Sequence, residues 1–337
     1  MVRNMPPGST NYTFTAPQNP TEIKSAVFTA VGALVVAVTM AVTIIGDCLI
    51  FAAFLCSTSI RTRANLFFLS LITADILQAF TVMPLELVRI VDFPLWPFGV
   101  AATKVWNSMF VCFGTASAST LAAIGVERYL AISRPFFHSA VIISNKALAG
   151  LCLVWFYAIS SGILSFFAWK TPDHAEADKS GFSISICYGI PLLIFDNLVP
   201  LITCVMTYTL IFRISLDHSY RLGLLCGWTL DGHSLRISKD RKTLRTLSLL
   251  VGTFTACSLP FFVFHAVDSA YEEGLPYRQY ASYIVKWMCY VNSACNWALY
   301  SFLNQDFRDV LFAVCKKGYF RIHSALCFTK ANRVAPL

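Results

Sequence analysis

Apolar residues fill seven long runs along the chain, separated by short polar segments. The runs span roughly Ala26–Leu55, Leu66–Val91, Ala102–Ile132, Ala147–Trp169, Gly189–Ile214, Leu244–Ala270 and Tyr280–Phe302. A helix crossing a bilayer needs about 20 mostly apolar residues, because the hydrocarbon core is ~30 Å thick and a helix rises ~1.5 Å per residue. Each run is long enough. Continuous apolar stretches are not the alternation of a membrane barrel, and in lipid every backbone group must be paired internally. The pattern predicts an all-α membrane protein, a seven-transmembrane helical bundle. No internal repeat is visible, which argues against inverted-repeat transporters. The expected division is an outer N-terminal tail over 1–25, a seven-helix domain over 26–302, an amphipathic surface helix over 303–316 and an inner tail over 317–337.

Composition agrees: 56% of the 337 residues are hydrophobic and 13% charged, against about 45–50% and about 25% in soluble domains. That sets aside a disordered chain and a soluble enzyme. With the N-terminus outside, the inner segments hold Arg61, Arg63, Arg128, Arg134 and Lys146, seven cations between Arg213 and Arg245, and six from Arg308 to Arg333. This is most of the 26 basic residues, as the positive-inside bias requires. The net charge of +8 then reflects orientation and attraction to membrane lipids of the inner leaflet. No nucleic-acid partner is expected, because the cations are spread over several loops. The N-terminal tail lacks the core of a cleavable signal, so the first helix is expected to act as a signal anchor in the plasma membrane. Asn11-Tyr12-Thr13 is a glycosylation sequon on the outer side. Nearly all of the 12 cysteines lie in or below the helices, where they behave as small apolar side chains. None has metal-ligand spacing, and no phosphate loop or catalytic triad appears. Neither an enzyme nor a cofactor is expected.

Charges inside lipid are costly unless paired or hydrated, so they are functional candidates. Span three ends in Glu127-Arg128-Tyr129. Span two carries Asn65-Leu66 and Leu71-Ile72-Thr73-Ala74-Asp75, span one Gly46-Asp47, and span four Trp155. Span five has Pro200 with Tyr208 eight residues on. Span six reads Cys257-Ser258-Leu259-Pro260, and span seven Asn292-Ser293-Ala294-Cys295-Asn296-Trp297-Ala298-Leu299-Tyr300. Together and in this order, these motifs make the chain resemble the rhodopsin-like (class A) G-protein-coupled receptors from about Val31 to Cys315.

The resemblance implies a receptor that takes a small extracellular ligand in the outer half of the bundle and activates a heterotrimeric G protein. Arg128 would be held by Glu127 and by Asp240 at the foot of span six. Outward movement of that span would release it, with Tyr208 and Tyr300 reaching the freed guanidinium. An agonist must then bind the open packing better. A snorkelling Arg128 and interfacial tyrosines are the plain alternatives. Asp75, with Ser117, Asn292, Ser293 and Asn296 at matching depths, resembles the family's sodium and water pocket, and oxygen ligands suit that hard cation. A protonated, ion-free Asp75 is the other reading. Asp47 stands where the family usually has Asn. Two close carboxylates in low dielectric repel, so one is expected to hold a proton and donate as the amide would.

For the ligand, Pro84, Phe261, Phe262, Trp287 and Tyr290 resemble the biogenic-amine branch, whose aromatic walls suit a cation; His265 is added to the pocket set. Amine receptors place an Asp eighteen residues before the Arg that Arg128 matches, and here that residue is Phe110. The remaining counter-ions are Glu86, expected to pair with Lys286, and Asp196, which could equally hydrogen-bond to neighbouring helices. Lys286 is one turn from the retinal lysine of opsins, whose place is taken by Tyr290. Thr103 replaces the outer cysteine of span three, leaving Cys187 without its usual partner. Ser258 replaces a Trp, and Trp297 replaces the proline that kinks span seven. Phe307, Val310, Leu311, Phe312 and Val314 lie near helical spacing with Arg308, Lys316 and Lys317, an interfacial helix ending at Cys315, a candidate for palmitoylation. A transporter would need acids along a continuous path, and a silent paralogue is the further alternative.

Overall fold

The structure, a computed structural model, describes residues 20–57, 65–91, 98–134, 146–168, 186–226, 231–270, 278–303, 308–313 and 316. Within these, the side chains of 20–25, 146, 168, 186–188, 215–247, 269–270, 278–279, 300 and 302–303 lie outside the description. Asn11 and Cys315 lie outside it entirely, as do the side chains of Cys187, Asp240 and Tyr300.

Span one is α1 (Pro20–Cys56), and span two is α2 (Asn65–Thr81) followed by α3 (Met83–Val91). Span three is α4 (Gly99–Ser133), and span four is α5 (Lys146–Ala168). Span five is α6 (Ile186–Leu192), a π-helical turn (Leu193–Leu198) and α7 (Val199–Cys226). Spans six and seven are α8 (Asp231–Ala270) and α9 (Arg278–Leu303). Residues 308–313 form a further short helix, with Val310 and Leu311 packed on the core. No strand occurs among the described residues.

The bundle exposes large apolar side chains on its outside and buries charged and amide side chains among the apolar ones inside, unlike a soluble protein. Leu34 and Ile45 on α1, Leu153, Phe156 and Phe167 on α5, and Ile202, Met206 and Phe212 on α7 are exposed. Asp47, Asp75, Glu86, Asp196, Lys286, Asn292 and Asn296 are buried. Only a hydrocarbon solvent makes that arrangement favourable. Among the described residues, six of the spans are long and apolar enough to cross a bilayer. The seventh, α9, is 26 residues long but less apolar, because Lys286, Asn292, Ser293 and Asn296 all turn inward.

Prolines set the irregularities. Pro84 lies just past the break between α2 and α3, where it lacks an N–H and its ring crowds the carbonyl four residues back. Pro200 does the same to the carbonyl of Asp196, and the preceding turn widens into the π-helical one, a usual relief of such crowding. Span seven runs unbroken where Trp297 replaces proline.

Span three packs on spans two, four and five, and span seven closes the ring against spans one and six. Trp155 Nε1 donates to Ser70 Oγ at 2.9 Å, and Ser70 lies 3.4 Å from Thr120 Oγ1, tying spans four, two and three. Two glycines of span one receive two tryptophans of span seven. A Cβ on Gly32 would lie 2.3 Å from the Trp287 ring, and one on Gly46 2.2 Å from Trp297. Only a residue without a side chain permits so close an approach.

One apolar cluster, with Phe68, Leu121, Ile124, Ile211, Leu250 and Phe254, fills the Arg128 end of the bundle. A second, with Met83, Trp106, Phe110, Phe261, Trp287 and Tyr290, fills the other end. Along spans two, three and seven, the polar residues Asp75, Ser117 and Asn296 fall between these clusters.

Candidate functional site

At one end, Arg128 Nε lies 3.1 Å from Glu127 Oε2, with Glu127 buried and Arg128 a quarter exposed (27%). The neighbouring Tyr129 packs on the apolar core. Tyr208 comes from span five and rests against Gly125, one turn before Arg128, with its hydroxyl 3.5 Å from where a Cβ would sit. That hydroxyl is buried and has no hydrogen-bond partner among the described residues. Asp240 and Tyr300 lie on α8 and α9, their side chains outside the described set.

The middle layer is built on Asp75, which is fully buried. Asn296 Nδ2 donates to Asp75 Oδ2 at 2.9 Å, Ser117 Oγ to Oδ1 at 3.4 Å, and Ser293 is a further hydrogen-bonding neighbour. The amide oxygens of Asn292 and Asn296 are buried without partners among the described residues. A carboxylate, two hydroxyls and two unused amide oxygens are the donor set a small hard cation takes, so the residues present fit a sodium ion. Asp47 interacts electrostatically with Asp75, yet both its oxygens lack hydrogen bonds among the described residues.

At the opposite end, Lys286 Nζ lies 2.9 Å from Glu86 Oε2, the pairing expected from the sequence, and both side chains are buried. Tyr290 Oη donates to the same oxygen at 3.2 Å. The Lys286 ammonium sits 3.5 Å from the Trp106 ring centroid and 5.3 Å from that of Phe110. The indole of Trp106 is itself fixed, donating to Val82 O at 3.0 Å beside the break in span two. Phe110 contacts Phe261 at 5.0 Å and Tyr290 at 5.8 Å, centroid to centroid. Phe261 in turn touches Phe262 at 5.3 Å and His265 at 4.5 Å. Trp287 turns away from this group and stacks on Phe28 of span one at 5.1 Å.

Asp196 is carried by the π-helical turn and faces span four. Tyr157 Oη donates to its Oδ1 at 2.6 Å, Ser161 Oγ to its Oδ2, and Thr115 is a third neighbour. Its oxygens therefore hold hydroxyls of the adjacent helices, the second of the two readings the sequence leaves open. A cavity of about 30 Å³ runs between Asp196, Phe110, Ser258, Phe262 and Cys289 and the Asp75 layer at Ser117, Asn292 and Ser293. By the usual measure this holds about two waters. Ser258, a small residue, forms part of its wall.

Tyr157, Ser161, Thr115 and Trp106 belong to these sites and were not singled out from the sequence. Tyr157 and Ser161 lie one turn apart on one face of span four, which also carries Ser160 and Ser165. Trp106 lies one turn before Phe110, and its indole N–H must find a partner once buried.

A family model described as "7 transmembrane receptor (rhodopsin family)" matches residues 46–300. Among curated proteins, the D(1B) dopamine receptor of Xenopus laevis is 29% identical over 312 residues, covering 82% of this chain and 68% of that receptor. The human histamine H2 receptor is 27% identical over 288 residues, covering 82% and 76%. The octopamine receptor beta-2R of Chilo suppressalis is 28% identical over 297 residues, covering 79% and 74%. The chain belongs to the rhodopsin family of seven-transmembrane receptors. It is a multi-pass membrane protein and a G-protein-coupled receptor, related to receptors of the biogenic-amine branch, and not an enzyme.

Proposed function

We propose that the receptor lies in the plasma membrane with its N-terminus outside. It binds its ligand at the end lined by Glu86, Phe110, Phe261, Phe262, His265, Lys286 and Tyr290, and couples at the Arg128 end to a heterotrimeric G protein. The observation that carries this reading is the Arg128–Glu127 pair at 3.1 Å beside the buried Tyr208 hydroxyl, which has no hydrogen-bond partner among the described residues. As span six moves outward, the Arg128 guanidinium leaves Glu127 for the tyrosine hydroxyls and opens a surface for the G protein. Asp240 on span six is the second acid that would hold Arg128 at rest.

The middle layer favours the resting packing. Asp75, Ser117, Asn292, Ser293 and Asn296 would hold a sodium ion there, which would supply a positive charge among otherwise unused oxygens. Ligand energy reaches this layer through the Phe110–Phe261–Tyr290 contacts above the cavity, since only a difference in affinity between the two packings shifts their populations. The relatives named above are receptors for amines, and their names point to a small ligand here.

The test is a screen of small amines and small organic acids in a G-protein-dissociation assay, with Glu86→Ala and Asp196→Ala as controls. The expected result is a ligand whose response is lost or right-shifted in one or both variants. A receptor at normal surface level with no basal and no ligand-driven dissociation across G-protein subtypes would count against coupling.

A further inference from the structure

We propose that Lys286 is a tethered ammonium: it fills, from span seven, a subsite at Glu86 Oε2 built for a small primary ammonium ion, and so keeps free amines from that subsite. The site joins three spans. Glu86 of span two supplies a carboxylate that is fully buried. Trp106 and Phe110 of span three supply aromatic faces at 3.5 Å and 5.3 Å from the cation, and Tyr290 of span seven steadies the carboxylate at 3.2 Å. A carboxylate with aromatic faces, out of water, is what recognises an ammonium group. Here the occupant is part of the chain.

Two further observations mark this as a binding site rather than a bare ion pair. Glu86 Oε1 is buried and accepts no hydrogen bond among the described residues, so the carboxylate keeps acceptor capacity that Lys286 does not use. The Trp106 ring is held at its edge by its N–H bond to Val82 O at 3.0 Å, so span two sets the orientation of the face under the cation and keeps it when the lysine is removed. Lys286 reaches in on a flexible stem that ends at the cage. Deleting that stem leaves a cation site of the stem's own shape.

This inference goes beyond the coupling reading and does not depend on it. The experiment uses the full-length receptor as wild type, as Lys286→Ala, and as the double variant Lys286→Ala/Glu86→Gln. The probe is n-propylammonium, the fragment that alanine deletes beyond Cβ, with n-propanol as the uncharged control. The readouts are the yield of folded receptor from membranes and its melting temperature in detergent. The expected result is that Lys286→Ala loses yield and melting temperature and that n-propylammonium restores both. The rise at saturation should be about 5 °C. n-Propanol restores neither, and wild type and the double variant do not respond. The proposal is overturned if n-propylammonium leaves Lys286→Ala unchanged, including a variant that yields no folded receptor with the amine present throughout. An equal shift in wild type overturns it as well. Neither readout involves a G protein, so failure here is separate from failure of coupling.

Discussion

Replacing Asp47 with Asn should be tolerated, and the structure sets the size of the effect. Asp47 is fully buried, both of its oxygens lack hydrogen bonds among the described residues, and it interacts with the Asp75 carboxyl across the polar layer. Asparagine keeps the shape, removes any charge and brings an N–H₂ donor that can face Asp75. If Asp47 carries a proton, the change exchanges one donor for another and costs less than about 1 kcal/mol. If it is ionised, the change removes an unpaired buried charge, whose presence costs several kcal/mol. Both cases give a melting temperature that is unchanged or higher, by up to about 6 °C for a gain of about 2 kcal/mol. The assay is thermal unfolding of the purified receptor in detergent, alongside surface level and G-protein dissociation. A fall in melting temperature of more than about 4 °C, or loss of surface expression or signalling, refutes the argument. Asp75→Asn is the contrast, because Asp75 already accepts from Asn296 and Ser117 and its carboxylate is in use.

Gly46→Ala should lower the melting temperature by about 3–9 °C, since an added methyl would meet the Trp297 ring and overpacking costs about 1–3 kcal/mol. Adding Trp297→Ala should recover part of that loss, and two losses that simply add would contradict the contact. Sodium chloride should raise the melting temperature of wild type more than an equal ionic strength of choline chloride does, and the difference should vanish in Asp75→Asn. An equal response to both salts would favour an ion-free Asp75.

Much of this fold could be read from the chain because lipid enforces it: apolar runs long enough to cross are visible without any packing detail. Span seven is the instructive case. Its buried Lys286, Asn292, Ser293 and Asn296 dilute its hydropathy, yet the run from Tyr280 to Phe302 still stands out in the chain, and the Asn296-to-Tyr300 motif falls within it. The Glu86–Lys286 pair followed from charge balance, since two opposite charges at similar depth in hydrocarbon must meet. The direction of Asp196 did not follow, because it depends on the π-helical turn that Pro200 induces and on two hydroxyls of span four. Trp297 was recognised as replacing a proline, but its seat on Gly46 depends on how closely spans one and seven approach. Trp106 was overlooked for a related reason: aromatic residues are common in membrane helices, and only the structure puts its face under a cation.

On the proposed reading, Arg128 is the switch through which this receptor drives a G protein. The most direct test measures G-protein dissociation, basal and ligand-driven, for wild type and Arg128→Ala matched for surface level. Wild type should activate the G protein, and Arg128→Ala should stay folded and fail to do so. Undiminished activation in Arg128→Ala would rule out the switch.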